Sequence, residues 1–193
     1  MRLGSGYVEG FSSACCIGGV ATLLTACQTW DTARLKQVKE TKASQSNARI
    51  YCSGTEHCEF ERLNRVMIMD AESQRLSREA IKQGLVRLQA DSLRQPNPLY
   101  LSVPAKQHEV VIRFYPISRD QAETLHVIHQ FKPRQTYTFK MYRDRSKHKG
   151  SLLNVSAPEP LCVDLLQNQK IIRRFCKPYN VLHGLGEFVE QKI

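Results

Sequence analysis

The chain has 193 residues, 41% hydrophobic and 24% charged, with 28 Lys and Arg against 18 Asp and Glu for a formal charge of +10. That length holds one ordinary domain with a leading segment and excludes two full-sized domains, while the composition excludes a disordered chain. The positive balance favours an anionic neighbour, whether nucleic acid, lipid, wall polymer or acidic protein, without choosing among them.

Residues 11–26, FSSACCIGGVATLLTA, carry no charge but fall short of the roughly 18–20 residues a spanning helix needs. A short apolar run after Arg2 that ends in small residues has the layout of a secretory signal. Gly18-Gly19 interrupts a helix, and no amphipathic period is visible, which speaks against a first core element.

Within this run, Leu24-Thr25-Ala26-Cys27 resembles the lipobox of bacterial lipoproteins: an aliphatic residue, two small residues and a cysteine. The resemblance implies a signal peptide over 1–26, a diacylglycerol on the Cys27 thiol, cleavage just before it and acylation of the new amine. Gln28 stands where Asp would follow the cysteine, which in lipoproteins of enterobacterial type implies transport to the outer membrane, facing the periplasm. At about 0.8 kcal/mol per buried methylene, two or three acyl chains hold such an anchor without help from the folded part. Trp30 then falls at headgroup level, where its amphipathic ring is favoured. The covalent lipid on Cys27 is the only added group expected, and no metal or other cofactor.

Residues 27–48 read as the lipidated N-terminus and a flexible linker, in part helical. They are polar, with Arg34, Lys36, Lys39 and Lys42 against Asp31 and Glu40, and show no sustained apolar period. Four cysteines follow: Cys52, Cys58, Cys162 and Cys176. Export would put them in an oxidising space, and an even number there predicts disulfides. Of three possible pairings, spacing favours Cys52–Cys58, closing CSGTEHC around a Ser-Gly turn, and Cys162–Cys176. C-x5-C and C-x13-C are not zinc-ribbon spacings.

Residues 49–193 form the domain. Two-residue alternation marks strands in RIYC (49–52), FERLNRVMIM (60–69), LVRLQ (85–89), LYLSVP (99–104), HEVVIRFYPI (108–117), ETLHVIHQF (123–131) and TYTFKMY (136–142). Val110, Ile112 and Phe114 share one face of their strand, as do Tyr137, Phe139 and Met141 of theirs. Only SREAIKQGL (77–85) reads as a helix, with Ser77 as N-cap and Gly84 as its stop. Leu152, Leu153 and Val155 of the loop SLLNVSAPEPLC read as core in preference to a partner-docking edge.

LCVDLL (161–166) and IIRRFCK (171–177) read as strands joined through QNQK. Facing Cys162 with Cys176 also faces Val163 with Phe175, Asp164 with Arg174 and Leu166 with Ile172, so one register serves a disulfide, an ion pair and two apolar pairs. Many short strands, regular turns and one short helix predict a mainly β chain folded as an antiparallel β-sandwich. LSVPAKQHEVVIRFYPI followed by HQFKPRQTYTFKMYR is similar to the small prealbumin-like sandwich modules of bacterial envelope proteins. That resemblance implies a prealbumin- or immunoglobulin-like sandwich of the kind used as lipidated scaffold and docking subunits, including the outer-membrane lipoprotein of type VI secretion systems.

No G-x-S-x-G, H-E-x-x-H or phosphate-cradling glycine loop is present. His126 and His129 are the closest histidines, but an odd separation on a strand sends them to opposite faces and disfavours joint metal binding. The densest feature is KPRQTYTFKMYRDRSKHKG, where Lys132, Arg134, Lys140, Arg143, Arg145, Lys147 and Lys149 meet one opposing Asp144. Interleaved aromatics suit single-stranded nucleic acid, but the export signal puts this basic interaction face where lipid phosphates, anionic glycan or an acidic protein would meet it. The sequence therefore reads as a non-enzymatic docking or scaffold module for an envelope partner, with no nucleic acid. The alternative is an envelope enzyme, or an inhibitor of one, with its site on loops.

Overall fold

The computed structural model describes residues 30–145, 159–177 and 186–193. After a helical stretch α1 (30–37) come β1 (Ala48–Ser53), β2 (His57–Leu63), β3 (Val66–Met67), α2 (Arg78–Lys82) and β4 (Val86–Leu88). Then follow β5 (Leu99–Val103), β6 (Gln107–Tyr115), β7 (Glu123–Gln130), β8 (Thr136–Arg143), β9 (Leu161–Gln167), β10 (Lys170–Lys177) and β11 (Val189–Gln191). They build two packed sheets, a seven-stranded one in the order β11-β10-β9-β8-β1-β5-β4 and a four-stranded one in the order β3-β2-β6-β7. The mainly β sandwich is thus present, antiparallel except where β1 runs parallel to β8.

Alternation builds the interior. Ile50, Cys52, Phe60, Val110, Ile112, Phe114, Tyr137, Phe139, Met141, Val163 and Leu165 are all buried in one apolar cluster between the sheets. Each large apolar side chain buried this way is worth about 1.5–3 kcal/mol relative to leaving it in water. β6 is buried on its other face too, where Arg113 meets Glu59 at 3.2 Å and Tyr115 donates to the same carboxylate at 2.9 Å.

The crossing from one sheet to the other is tightly determined. Cys52 on β1 and Cys58 on β2 are joined, with Cα atoms 6.1 Å apart, so this disulfide ties the seven-stranded sheet to the four-stranded one. Gly54 between them has φ +94°, and a Cβ there would lie 1.9 Å from the Met141 carbonyl oxygen. Only glycine fits both the backbone angle and the space. On the far side, β10 meets β7 through Lys177 Nζ and Glu123 at 2.7 Å, and through Arg173, which donates to the Ile128 carbonyl at 2.8 Å.

Helix α2 matches its sequence signals: Ser77 Oγ accepts from the Ala80 N–H at 3.4 Å, and Gly84 leaves the helix at φ +68°. Three expectations are corrected. The single strand over 60–69 is a hairpin, β2 and β3, with Asn64 at φ 51° in the turn. Asn64 accepts the Glu109 N–H and donates toward His108, so its side chain helps fix a conformation that few other residues adopt.

The β9–β10 register holds at Cys162–Cys176, Val163–Phe175 and Asp164–Arg174, and the disulfide is formed. Beyond them Leu166 faces Ile171, not Ile172. Asn168 and Gln169, at φ 47° and 70°, make a two-residue turn that pairs Gln167 with Lys170. That turn sets a register one residue away from the one the disulfide sets. A bulge at Ile172 absorbs the difference.

The flexible linker is also corrected from Leu35 onward. Leu35 is 3% exposed and belongs to the core cluster, and Arg87 donates to the carbonyls of Val38 at 2.6 Å and Lys39 at 3.3 Å. A lone Leu and Val three residues apart give too sparse a period to be seen in sequence. The domain therefore begins near residue 35. Among the described residues, no helix is long and apolar enough to cross a membrane.

Candidate functional site

The basic residues of the sequence distribute along β8 and its flanks. Tyr137, Phe139 and Met141 point into the core, so Thr138, Lys140 and Tyr142 lie on the outer face of the seven-stranded sheet. Lys140 is exposed there, opposite Ser53 of β1 and Asp164 of β9. Arg143 shares the parity of the inward positions and is exposed at the strand's end, and Arg145 beyond it lies 3.4 Å from Glu159. Lys132 and Arg134 sit at the other end, in the turn before β8, with Arg134 at φ 56°.

Seven strand steps of about 3.3 Å put the two ends roughly 23 Å apart. The described members of the basic interaction face, Lys132, Arg134, Lys140, Arg143 and Arg145, therefore occupy the two ends and the middle of β8. Cys27, Lys147 and Lys149 lie outside the described residues, as do Leu152, Leu153 and Val155.

Around Lys140 the sheet assembles a more specific surface. One row across the strands reads Ser53, Lys140, Asp164, Arg174 and Gln191. Asp164 accepts from Arg174 Nε at 2.7 Å and Nη2 at 3.0 Å, and the guanidinium lies 5.7 Å from the Tyr142 ring centroid. The hydrogen bond to Asp164 is the main cause that raises the Arg174 pKa. Burial first, and then the Asp164 charge, raise that of the Tyr142 hydroxyl.

Beside this row, the Tyr51 and Tyr100 rings stack with centroids 5.1 Å apart and planes 20° from parallel. Burial and the neighbouring Tyr100 raise the Tyr51 pKa, with Arg49 opposing them. The outer face thus carries three half-buried tyrosines and the cations Arg49, Lys140 and Arg174, while Arg174 already engages Asp164. Tyr and Arg are the residue types that supply most binding energy at protein interfaces, because they offer large contact area with few rotatable bonds per hydrogen bond.

Nothing in the local pattern marks Arg49, Tyr51, Tyr100 and Arg174 as members of one surface. Alternation in RIYCS does separate Arg49, Tyr51 and Ser53 from the inward Ile50 and Cys52. The adjacency of β1 to β8, far apart in the chain, is what no local pattern carries.

The histidines fall as their spacing requires. His126 is exposed, 3.9 Å from Glu109, while His129 on the other face packs edge-on against Phe131 and Tyr137. Buried His108 bonds the Pro104 carbonyl through Nε2 at 2.9 Å, so that nitrogen carries the proton and Nδ1 accepts from Asn64. Burial lowers its pKa. Among the described residues, no group of three or more His, Cys, Asp or Glu side chains is placed to hold a metal ion. Comparison with family models, curated proteins and solved structures finds no match to the chain.

Proposed function

We propose that this chain is an outer-membrane-anchored periplasmic lipoprotein and serves as a non-enzymatic docking module for an envelope partner. The lipobox-like Leu24-Thr25-Ala26-Cys27 suggests the anchor. The observation that carries the reading is the pair of disulfides, Cys52–Cys58 and Cys162–Cys176. Structural disulfides persist in exported proteins and are rare in the reducing cytosol, so they support the same compartment as the signal-like segment. That argument is independent of the lipobox, because it rests on residues 25 or more positions downstream.

The surface best suited to the partner is the outer face of the seven-stranded sheet around Tyr51, Tyr100, Lys140 and Tyr142. Its excess of cations favours an acidic protein patch or an anionic glycan. The test is fractionation of cells carrying Cys27→Ser, together with radiolabelled palmitate. Loss of both label and membrane association is expected. An unlabelled wild-type protein, or a substituted one still on the membrane, would refute the anchor.

A further inference from the structure

A groove of about 560 Å³ lies between the 34–47 segment, α2 and β4. Arg34, Lys39, Lys82 and Arg87 line it, and among the described residues no carboxylate does. Arg34 keeps a contact with Asp31 at 3.5 Å, on its own helix. Arg87 is 7% exposed, and its guanidinium donates to three carbonyls, of Gly84, Val38 and Lys39. Among the described residues, no carboxylate forms an ion pair with Lys39, Lys82 or Arg87. A buried guanidinium held only by neutral acceptors, beside further cations, leaves positive charge that an anion would neutralise. The same groove is lined by Val38, Ile81 and Leu85, so it offers apolar wall as well as charge.

Covalent geometry sets where this groove lies relative to an acylated Cys27. Three chain steps of at most about 3.8 Å reach Trp30, and four helical steps of about 1.5 Å reach Arg34, a total of roughly 17 Å. The groove cannot stand off a surface to which Cys27 is fixed by a long tether, because Leu35 is already packed into the domain.

We propose that this groove is a phosphate site that seats the headgroup of an anionic membrane lipid, with Lys39, Lys82 and Arg34 on the phosphodiester and the apolar wall against the glycerol end of the lipid. The inference rests on the lipid-anchored reading for its choice of a lipid over free phosphate. Charge alone would suit either source. The apolar wall and the short path to Cys27 favour the lipid.

The test uses the mature protein purified in a maltoside detergent and titrated calorimetrically with dihexanoylphosphatidylglycerol, dihexanoylphosphatidylcholine and inorganic phosphate. Saturable binding of the phosphatidylglycerol is expected, weakened about tenfold or more by Lys39→Gln with Lys82→Gln, and unchanged by Lys132→Gln with Arg134→Gln. Both lysines of the first pair are exposed, so the variant keeps the fold, and the single Lys82→Glu provides a second reading of the same site. Inorganic phosphate binding as tightly as the lipid would keep a phosphate site and overturn the headgroup as its ligand. Absence of saturable binding, or binding that neither groove variant weakens, would overturn the site itself. The intact mass of the same preparation separates the two claims: acylated protein that does not bind refutes the groove alone, and unacylated protein that does bind refutes the anchor alone.

Discussion

Asp164 of β9 is 6% exposed and receives two hydrogen bonds from Arg174 of β10, at 2.7 and 3.0 Å, directly across the strand pair. The carboxylate is covered, while the guanidinium is one-third exposed. Removing the cation therefore leaves a buried negative charge, whereas removing both costs less. Arg174→Ala should destabilise the domain by about 2 kcal/mol, and Arg174→Ala with Asp164→Ala by less than the sum of the single changes. Urea unfolding of the four proteins in that cycle measures the coupling. Additive effects would mean that the pair contributes nothing as a pair.

Gly54 and Met141 form a second constraint, between the sheet crossover and β8. With φ +94° and a Cβ position 1.9 Å from the Met141 carbonyl oxygen, Gly54→Ala must displace backbone. A loss of at least about 2 kcal/mol is expected, read as a fall in melting temperature. Wild-type stability in that variant would mean that the crossover does not run this close to β8.

The disulfides should contribute unequally. They close separations of 14 and 6 residues, and loop-closure entropy assigns roughly 3 and 2 kcal/mol to loops of these lengths. Reduction should lower the unfolding midpoint, with Cys162→Ser/Cys176→Ser costing more than Cys52→Ser/Cys58→Ser. No free thiol should titrate among these four in the unreduced protein. A reactive thiol at any of them would contradict the pairing.

Burial holds the His108 and His129 pKa values below the ordinary 6.5. The unfolded chain therefore binds protons more readily than the folded one. Their stabilising effect is complete above pH 6.5 and is lost as pH falls below it toward the lowered folded-state values. Melting temperature should drop between pH 7 and pH 5, and His108→Gln should flatten that dependence. An unchanged slope in the variant would remove His108 as its source.

Much of the fold was legible because it rests on local periodicity. Alternation located most strands, Ser77 and Gly84 bounded α2, and the Cys162–Cys176 register carried Asp164 against Arg174 with it. What was not legible depends on contacts distant in the chain or on single residues. The bulge at Ile172 arises from two constraints at opposite ends of one hairpin, and the docking of the segment after Leu35 needs Arg87, which bonds the Val38 and Lys39 carbonyls from 49 and 48 residues away. The candidate surface was half legible: Lys140 and Tyr142 share one face of one strand, while Tyr51 and Tyr100 join them only through the order β8-β1-β5.

The anchor is the central claim, and the N-terminal peptide of the mature protein tests it most directly. Trypsin should release Cys27–Arg34, CQTWDTAR, as a hydrophobic peptide carrying a diacylglycerol and an amide-linked acyl chain, detected by mass spectrometry of the membrane fraction. Recovery of an unmodified peptide spanning Ala26-Cys27, from soluble protein that retains Arg2, would contradict it.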